Sequence, residues 1–185
     1  REDSSFLIEF KDFEDTINQA IKKTKEDCLI TIGIKPSRPD TGYGYIQFEE
    51  DDTTNLGIRK VKTFTEKPSL EIAKRFIESG DFYWNSGIFI WTVSSILKSF
   101  ENYLPEVNDL FKQGEKVYNT SLESAFIEST YAECKNISID YGVMEKAENV
   151  YVVLSDFGWS DLGTWGALYT HCDKDESENA VLGNS

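Results

Sequence analysis

The sequence is short of the residues that build disulfide scaffolds, zinc sites and nucleophilic catalytic centres. It contains three cysteines and one histidine among 185 residues. Cys28, Cys134 and Cys172 are odd in number and far apart, with no C-x-x-C pair, which argues against a disulfide framework and against a zinc site. His171 has no second histidine and no cysteine or serine at a useful spacing. A Ser/His/Asp or Cys/His nucleophilic site is therefore not expected.

Long apolar runs and an excess of basic charge are also missing. No stretch approaches the ~20 apolar residues of a membrane span, and residues 1–5 do not resemble a signal peptide. The net charge of −14 would repel nucleic acid and anionic membranes, so neither is expected as a partner. A small phosphorylated ligand is not excluded, because a pocket can hold a local field that opposes the global one, and Mg²⁺ would add positive charge there. Cysteines without a disulfide pattern favour a reducing cytoplasm.

What the chain does contain predicts a folded α/β domain. Its residues are 39% hydrophobic and 14% aromatic, which suits a packed sheet rather than a disordered chain. Apolar periodicity predicts a helix from Phe13 to Lys25, and the run Cys28–Ile34 predicts a strand buried on both faces. Further strands are expected at Tyr45–Phe48, Val61–Glu66, the second half of Phe82–Trp91 and Val150–Leu154. Further helices are expected at Ser69–Ser79, Val93–Tyr103, Glu106–Lys116, Leu122–Glu128 and from Thr164 or Trp165 to His171, with a polar turn at Asp51–Asn55.

Glu66-Lys67-Pro68 places an acid beside a base where a strand ends. Pro68 stops the strand, so both side chains are expected near the sheet edge at which open α/β folds bind ligands. Glu66 could accept hydrogen bonds from sugar hydroxyls, and Lys67 could pair with a phosphate. The alternative is a solvated surface ion pair with little energetic value.

Trp84-Asn85-Ser86-Gly87 combines a flat ring, an amide with both donor and acceptor groups, and a residue that permits close backbone approach. These are suitable parts for gripping a pyranose. The alternative is a simple turn before a core strand.

Two later segments offer carboxylates. Asp161, in the segment Trp159–Trp165, lies between a buried strand and a helix, where it could hold a divalent cation or cap the helix. Asp140 and Lys146, in the segment Ser138–Lys146, could reach a pocket. The apolar spacing of that segment equally describes a short packed helix.

Taken together, five segments resemble the mannose-1-phosphate guanylyltransferase family of sugar nucleotidyltransferases. Their order and spacing cover the chain from about Phe13 to Asn184. The segments are Arg38–Ile46, Phe64–Pro68, Trp84–Phe89, Ser138–Lys146 and Trp159–Trp165.

The resemblance implies a three-layer α/β sandwich with a mostly parallel, Rossmann-like sheet, and a cytoplasmic enzyme of GDP-mannose and polysaccharide biosynthesis. The implied reaction joins GTP and mannose 1-phosphate to give GDP-mannose and pyrophosphate with Mg²⁺ and without a covalent enzyme intermediate. By the same resemblance, Asp161 and Lys67 are the catalytic candidates, Asp161 binding the metal and Lys67 contacting the sugar's phosphate. The implied substrate-binding residues are Gly44, Glu66, Lys67, Asn85, Asp140 and Lys146.

The sequence departs from the family in the segments that would bind the nucleotide. The family's N-terminal strand and Gly-rich phosphate loop have no counterpart here, and its Asp-His pair would fall near Ser4 and Ser5, with Asp3 one residue out of register. Residues 1–172 are therefore expected to be a partial nucleotidyltransferase domain and 173–185 the start of a C-terminal connection, in a longer enzyme and inactive alone. The alternative is a non-catalytic sugar-phosphate-binding or regulatory subunit of the same origin. The base, the hexose and the oligomeric state stay open, a homodimer being one option.

Overall fold

The computed structural model describes residues 4–50, 57–161, 165, 168–169 and 172–181, with side chains from residue 11 onward. Five strands run through the described part, namely β1 (Leu29–Ile34), β2 (Gly44–Phe48), β3 (Ile58–Thr65), β4 (Phe82–Ile90) and β5 (Val150–Ser155). Five α-helices accompany them, namely α1 (Ser4–Lys23), α2 (Leu70–Ser79), α3 (Val93–Tyr103), α4 (Pro105–Lys112) and α5 (Glu123–Glu133). A 3₁₀ turn at Thr24–Glu26 follows α1, and a π-helical turn at Asp140–Met144 precedes β5.

The strands form a mixed sheet in the order β1-β4-β2-β3-β5, and β5 also pairs with β1, so the described strands close on themselves. Only the β1–β5 pairing is parallel, and the other four pairings among the described strands are antiparallel. The expectation of a mostly parallel sheet is therefore wrong. The sheet is mixed because β4 lies between β1 and β2 and is antiparallel to both.

Helices cover both faces of this sheet. All six residues of β1 are buried, as the apolar run predicts. On one face Leu29 and Val152 pack with Ile96 and Leu104 from the α3 side, and on the other Ile32 packs with Ile17 of α1 and with α2. Side chains on both faces of the sheet therefore contribute to the core.

Local sequence signals predict several helix boundaries correctly. Ser69 caps α2 by accepting a hydrogen bond from the backbone N–H of Ile72, and Gly80 ends the helix with a φ of 78°. The helix Val93–Tyr103 has the predicted limits. Helix α1 begins nine residues before Phe13, at Ser4. The expected turn at Asp51–Asn55 and most of the expected final helix lie outside the described residues.

Cys28 behaves as a small buried side chain. It is 2% exposed, its Sγ donates to the carbonyl of Lys23 at 3.2 Å, and burial raises the pKa of its thiol to about 11. A thiol that stays protonated at neutral pH is a poor nucleophile. Separately, no helix within the described ranges is long and apolar enough to cross a membrane.

Candidate active site

The strand register brings Gly44, Glu66 and Asn85 next to one another. Gly44 faces Asn85 across the β2–β4 pairing, and Tyr45 faces Thr65 across the β2–β3 pairing. Glu66 follows Thr65 directly, so its side chain comes next to Gly44. The end of β3, the start of β2 and the middle of β4 therefore meet at one edge.

A cleft of about 570 Å³ opens at this edge. Six of the seven predicted site residues line it, and Lys146 does not; its side chain is exposed elsewhere. The residues that line the cleft are Gly42, Tyr43, Gly44, Glu66, Lys67, Asn85, Ser86, Gly87, Asp140, Trp159, Ser160 and Asp161.

Glu66 is a buried acceptor rather than half of a solvated surface pair. Its side chain is 10% exposed, and its Oε2 atom is buried with no hydrogen-bond partner. Burial and the charge of Asp140 raise the pKa of Glu66 above its ordinary value, while the Lys67 cation, 3.6 Å from Oε1, opposes the rise. A buried carboxylate oxygen without a partner is costly. A ligand that donates a hydrogen bond would remove that cost.

The space for Glu66 depends on Gly44. A Cβ atom at this position would collide with Oε2 of Glu66 and would lie 3.3 Å from the Cβ of Asn85. Only glycine, which has no Cβ atom, leaves room for the Glu66 carboxylate beside β2.

Lys67 supplies an exposed positive charge at the rim. Its backbone takes a φ of 47°, uncommon for a residue with a side chain, and its N–H donates to the carbonyl of Tyr43 at 3.2 Å. Its side chain is 59% exposed. The backbone is thus anchored while the ammonium group remains accessible to an anion.

Asn85 lies inside β4, so the alternative of a simple turn before a strand is wrong. Thr31 faces Phe89 and Gly33 faces Asn85, so β4 carries two extra residues between these pairs, around Gly87 with its φ of 74°. Bulges of this kind redirect side chains and are common beside active sites. The Asn85 side chain is thereby held toward the cleft.

The amide of Asn85 is committed to protein partners. Its Oδ1 accepts from the Thr31 hydroxyl at 2.8 Å and from the Gly87 N–H at 3.2 Å, and its Nδ2 donates to Asp140 Oδ1 at 3.0 Å. Sequence reasoning gave Thr31 no role. The available signal was a hydroxyl within a buried apolar strand, since a buried polar group needs a partner.

Asp140 begins the π-helical turn, in which the Glu145 N–H donates to the Asp140 carbonyl at 2.9 Å. Val143 and Met144 anchor the turn in the core. The next residue, Glu145, also accepts from the Glu66 backbone N–H at 3.2 Å, a link that sequence reasoning missed. The turn therefore connects two of the three carboxylate residues of the cleft, Asp140 and Glu66.

The aromatic wall differs from the expected one. Trp84 is 4% exposed and does not line the cleft, so the expectation that its ring grips a sugar is wrong. Tyr43 and Trp159 line the cleft instead, edge to face with ring centroids 5.3 Å apart. Trp84 supports Tyr43 from behind, and the Arg38 guanidinium lies 5.3 Å from the Trp84 ring centroid.

Asp161 is the expected metal ligand, and it lies exposed in the lining of the cleft. Over the ranges that the structure describes, no group of three His, Cys, Asp or Glu side chains could hold a metal ion by itself. A single carboxylate still fits Mg²⁺, which is usually held by one or two carboxylates together with substrate phosphates and water. Residues 162–164, which would decide whether Asp161 caps a helix, lie outside the described residues.

A larger cavity of about 890 Å³ lies between α3, α4 and α5. Its lining is mostly apolar and contains no carboxylate and one cation, Lys135. The cleft that contains Glu66 is thus the better equipped for binding a polar ligand, despite its smaller volume.

An α/β sheet edge with acceptor carboxylates beside an exposed lysine suits a small polyhydroxylated anion. The chain matches the family described as Nucleotidyl transferase over residues 4–178, and it belongs to that family.

The expected resemblance is confirmed by individual relatives. A mannose-1-phosphate guanylyltransferase of Escherichia coli is 37% identical over 179 residues, which cover 94% of this chain and 38% of the relative. A mannose-1-phosphate guanylyltransferase of Sinorhizobium fredii is 37% identical over 194 residues, which cover 99% of this chain and 37% of the relative. A solved structure from Thermus thermophilus, described as a mannose-1-phosphate geranyltransferase, has a TM-score of 0.74 at 33% identity and covers 86% of this chain and 44% of that one. The chain thus spans 38% and 37% of the length of these two curated relatives.

Proposed function

We propose that this chain is the sugar-phosphate-binding part of a mannose-1-phosphate guanylyltransferase, which converts GTP and mannose 1-phosphate into GDP-mannose and pyrophosphate. The observation that carries the proposal is the pairing of the unpartnered, buried Glu66 Oε2 with the exposed Lys67 ammonium group in one cleft. The names of the relatives supply the hexose and the base.

In this proposal several residues of the cleft contact the sugar phosphate. Glu66 and Asp140 accept hydrogen bonds from sugar hydroxyls, and Gly44 allows the sugar to approach the backbone. Lys67 pairs with the phosphate as a compact charge. Tyr43 and Trp159 give the sugar an apolar wall.

The chemistry is an in-line displacement. An oxygen of the sugar's phosphate forms a bond to the α-phosphorus of GTP, and the bond from that phosphorus to the pyrophosphate oxygen breaks. The attacking oxygen is already anionic, so no general base is needed. The chain's contribution is to hold that oxygen in position while Lys67 screens its charge.

Asp161 is the residue that would hold Mg²⁺, and the bound ion would neutralise phosphate charge during the displacement. Among the described residues Asp161 is the one carboxylate that we assign to a metal. The other carboxylates of the cleft, Glu66 and Asp140, are assigned to hydroxyl groups.

The organisation that we propose for the chain follows from its family. Residues 1–172 belong to the nucleotidyltransferase domain and form a three-layer sandwich, and residues 173–185 begin a connection. The enzyme acts in the cytoplasm on soluble substrates, without nucleic acid or a membrane as partner, and a homodimer is compatible with this.

Titration of the chain by calorimetry tests the sugar-phosphate site. Mannose 1-phosphate is expected to bind with a dissociation constant of about 1 μM to 1 mM, the usual span for enzyme substrates. Free mannose and inorganic phosphate, each carrying half of the recognised groups, are expected to bind at least about tenfold more weakly. Equal binding of phosphate and mannose 1-phosphate would contradict a sugar site.

Turnover separates an enzyme from the alternative of a binding subunit. A longer natural chain that carries these residues, given GTP, mannose 1-phosphate and Mg²⁺, is expected to release pyrophosphate. The Asp161→Asn variant of that chain is expected to lose about 100-fold or more in rate, as when one electrostatic contact of the transition state is removed. Retained sugar-phosphate binding without any pyrophosphate release would favour the non-catalytic subunit.

A further inference from the structure

Thr31 carries a hydroxyl into β1, a strand whose six residues are all buried. It is 0% exposed and lies between Ile30 and Ile32, which are also fully buried. A hydroxyl in such surroundings costs free energy unless it is hydrogen-bonded. Its partner is Asn85 Oδ1 at 2.8 Å, on the neighbouring strand β4.

Two of the three partners of Asn85 determine which way its amide points, and the third holds it there. The Gly87 backbone N–H can only donate, so the atom that faces it must be the amide oxygen. The Asp140 side chain, when ionised, can only accept, so the atom that faces it must be the amide nitrogen. The Thr31 hydroxyl adds a second donor to the oxygen side. A hydroxyl can donate or accept, so Gly87 and Asp140 set the orientation, and Thr31 holds the amide oxygen in place within it.

The same arrangement leaves Asp140 with a free acceptor. Asn85 occupies Oδ1 of Asp140, and within the described residues this side chain makes no other hydrogen bond. The second oxygen lies on a residue that lines the cleft together with Glu66. Asn85 itself keeps one N–H and offers no free acceptor, so Glu66 and Asp140 are the acceptors that we assign to the sugar hydroxyls.

We propose that Thr31 is a positioning residue for substrate binding, acting through Asn85 to hold the Asp140 carboxylate as a second hydroxyl acceptor beside Glu66. This inference rests on the proposed function, because it assigns the acceptor pair to the hydroxyls of mannose 1-phosphate. It assigns to Asn85 a supporting role in place of direct recognition. The ligand class that the pair selects is a sugar phosphate with at least two free hydroxyl groups.

The test compares two substitutions of Thr31 by calorimetric titration of the chain with mannose 1-phosphate. Thr31→Val keeps the shape and removes the hydroxyl. It is expected to weaken binding about tenfold, because a displaced Asp140 would lose its hydrogen bond from the sugar, and a hydrogen bond to a charged group is worth about that much. Thr31→Ser keeps the hydroxyl and is expected to bind within about twofold of the unsubstituted chain. Equal affinities for Thr31→Val and the unsubstituted chain, at equal melting temperature, would overturn the proposal.

A double substitution shows whether Thr31 acts through Asn85. In the Asn85→Ala background, Thr31→Val is expected to cause no further loss of affinity. An additional loss of about tenfold in that background would show that Thr31 acts by another route and would overturn the inference. Thr31→Ala, which removes the hydroxyl without branching, replaces Thr31→Val in both comparisons if the valine variant does not fold.

Nuclear magnetic resonance separates this inference from the proposed function. The side-chain amide protons of Asn85 are expected to shift and to exchange faster in Thr31→Val, and to stay unchanged in Thr31→Ser. Unchanged amide signals in Thr31→Val would overturn the positioning role even if the sugar binds. If the unsubstituted chain does not bind mannose 1-phosphate, the proposed function fails, whereas changed amide signals would still establish the link from Thr31 to Asn85.

Discussion

Replacement of Gly44 by alanine is expected to weaken binding of mannose 1-phosphate by at least about 100-fold, while the chain stays folded. The added methyl group would occupy the place of Glu66 Oε2, closer than real Cβ atoms approach any neighbour. Because Gly44 pairs with Asn85 of β4 and the next residue, Tyr45, pairs with Thr65 of β3, the backbone cannot easily retreat. The Glu66 side chain must move instead, and the acceptor is lost from the cleft.

A second glycine provides the matched control. Alanine at Gly114 would collide with the ring of Phe126, so it imposes overpacking of a similar kind far from the cleft. Overpacking typically costs about 1–3 kcal/mol. Both variants are therefore expected to lower the melting temperature, and only Gly44→Ala is expected to lower the affinity. Equal affinities of the two variants would contradict the role given to Gly44.

Several elements of the fold could be predicted because their signals are local. The buried run of β1, the cap at Ser69 and the φ of Gly80 depend on neighbouring residues alone. The strand directions could not be predicted in this way. A strand has the same pattern in a parallel and in an antiparallel sheet once both of its faces are buried. The position of β4 between β1 and β2 depends on long-range pairing.

The candidate site shows the same division. Motifs indicated Glu66 and Asn85 because their residue types carry recognisable chemistry. The error about Trp84 was avoidable, since successive side chains of a strand point to opposite faces and Asn85 faces the cleft. Thr31 could not be assigned from the sequence, because its partner lies 54 positions away. A buried hydroxyl indicates that a hydrogen-bond partner exists, but it does not identify that partner.

The Glu66→Gln variant is expected to lose about 100-fold in affinity for mannose 1-phosphate. An ionised carboxylate accepts hydrogen bonds at both oxygens, whereas the amide presents one acceptor and one donor in the same space. The Lys67 cation, 3.6 Å from Oε1, favours the amide oxygen on its side, which places the donating NH₂ group at the buried Oε2 position. Isothermal titration at pH 7 measures the loss, and Glu101→Gln, a substitution of the same type on an exposed part of α3, is expected to leave the affinity unchanged.

The same pair of variants has opposite effects on the pH dependence of stability. The pKa of Glu66 is raised above 4.5 in the folded chain, chiefly by burial. Between pH 4.5 and that raised pKa, the folded state therefore binds more protons than the unfolded state. The contribution of Glu66 to the free energy of unfolding therefore falls as pH rises through this window. Relative to Glu66→Gln, the unsubstituted chain is expected to lose stability from about pH 4.5 upward and then reach a plateau.

The pKa of Glu101 is lowered by its hydrogen bond from Lys112, so relative to Glu101→Gln the unsubstituted chain should lose stability as pH falls below 4.5. Urea unfolding at a series of pH values measures both differences, and slopes of the same sign would show that the Glu66 carboxylate is not held in a buried, unfavourable state.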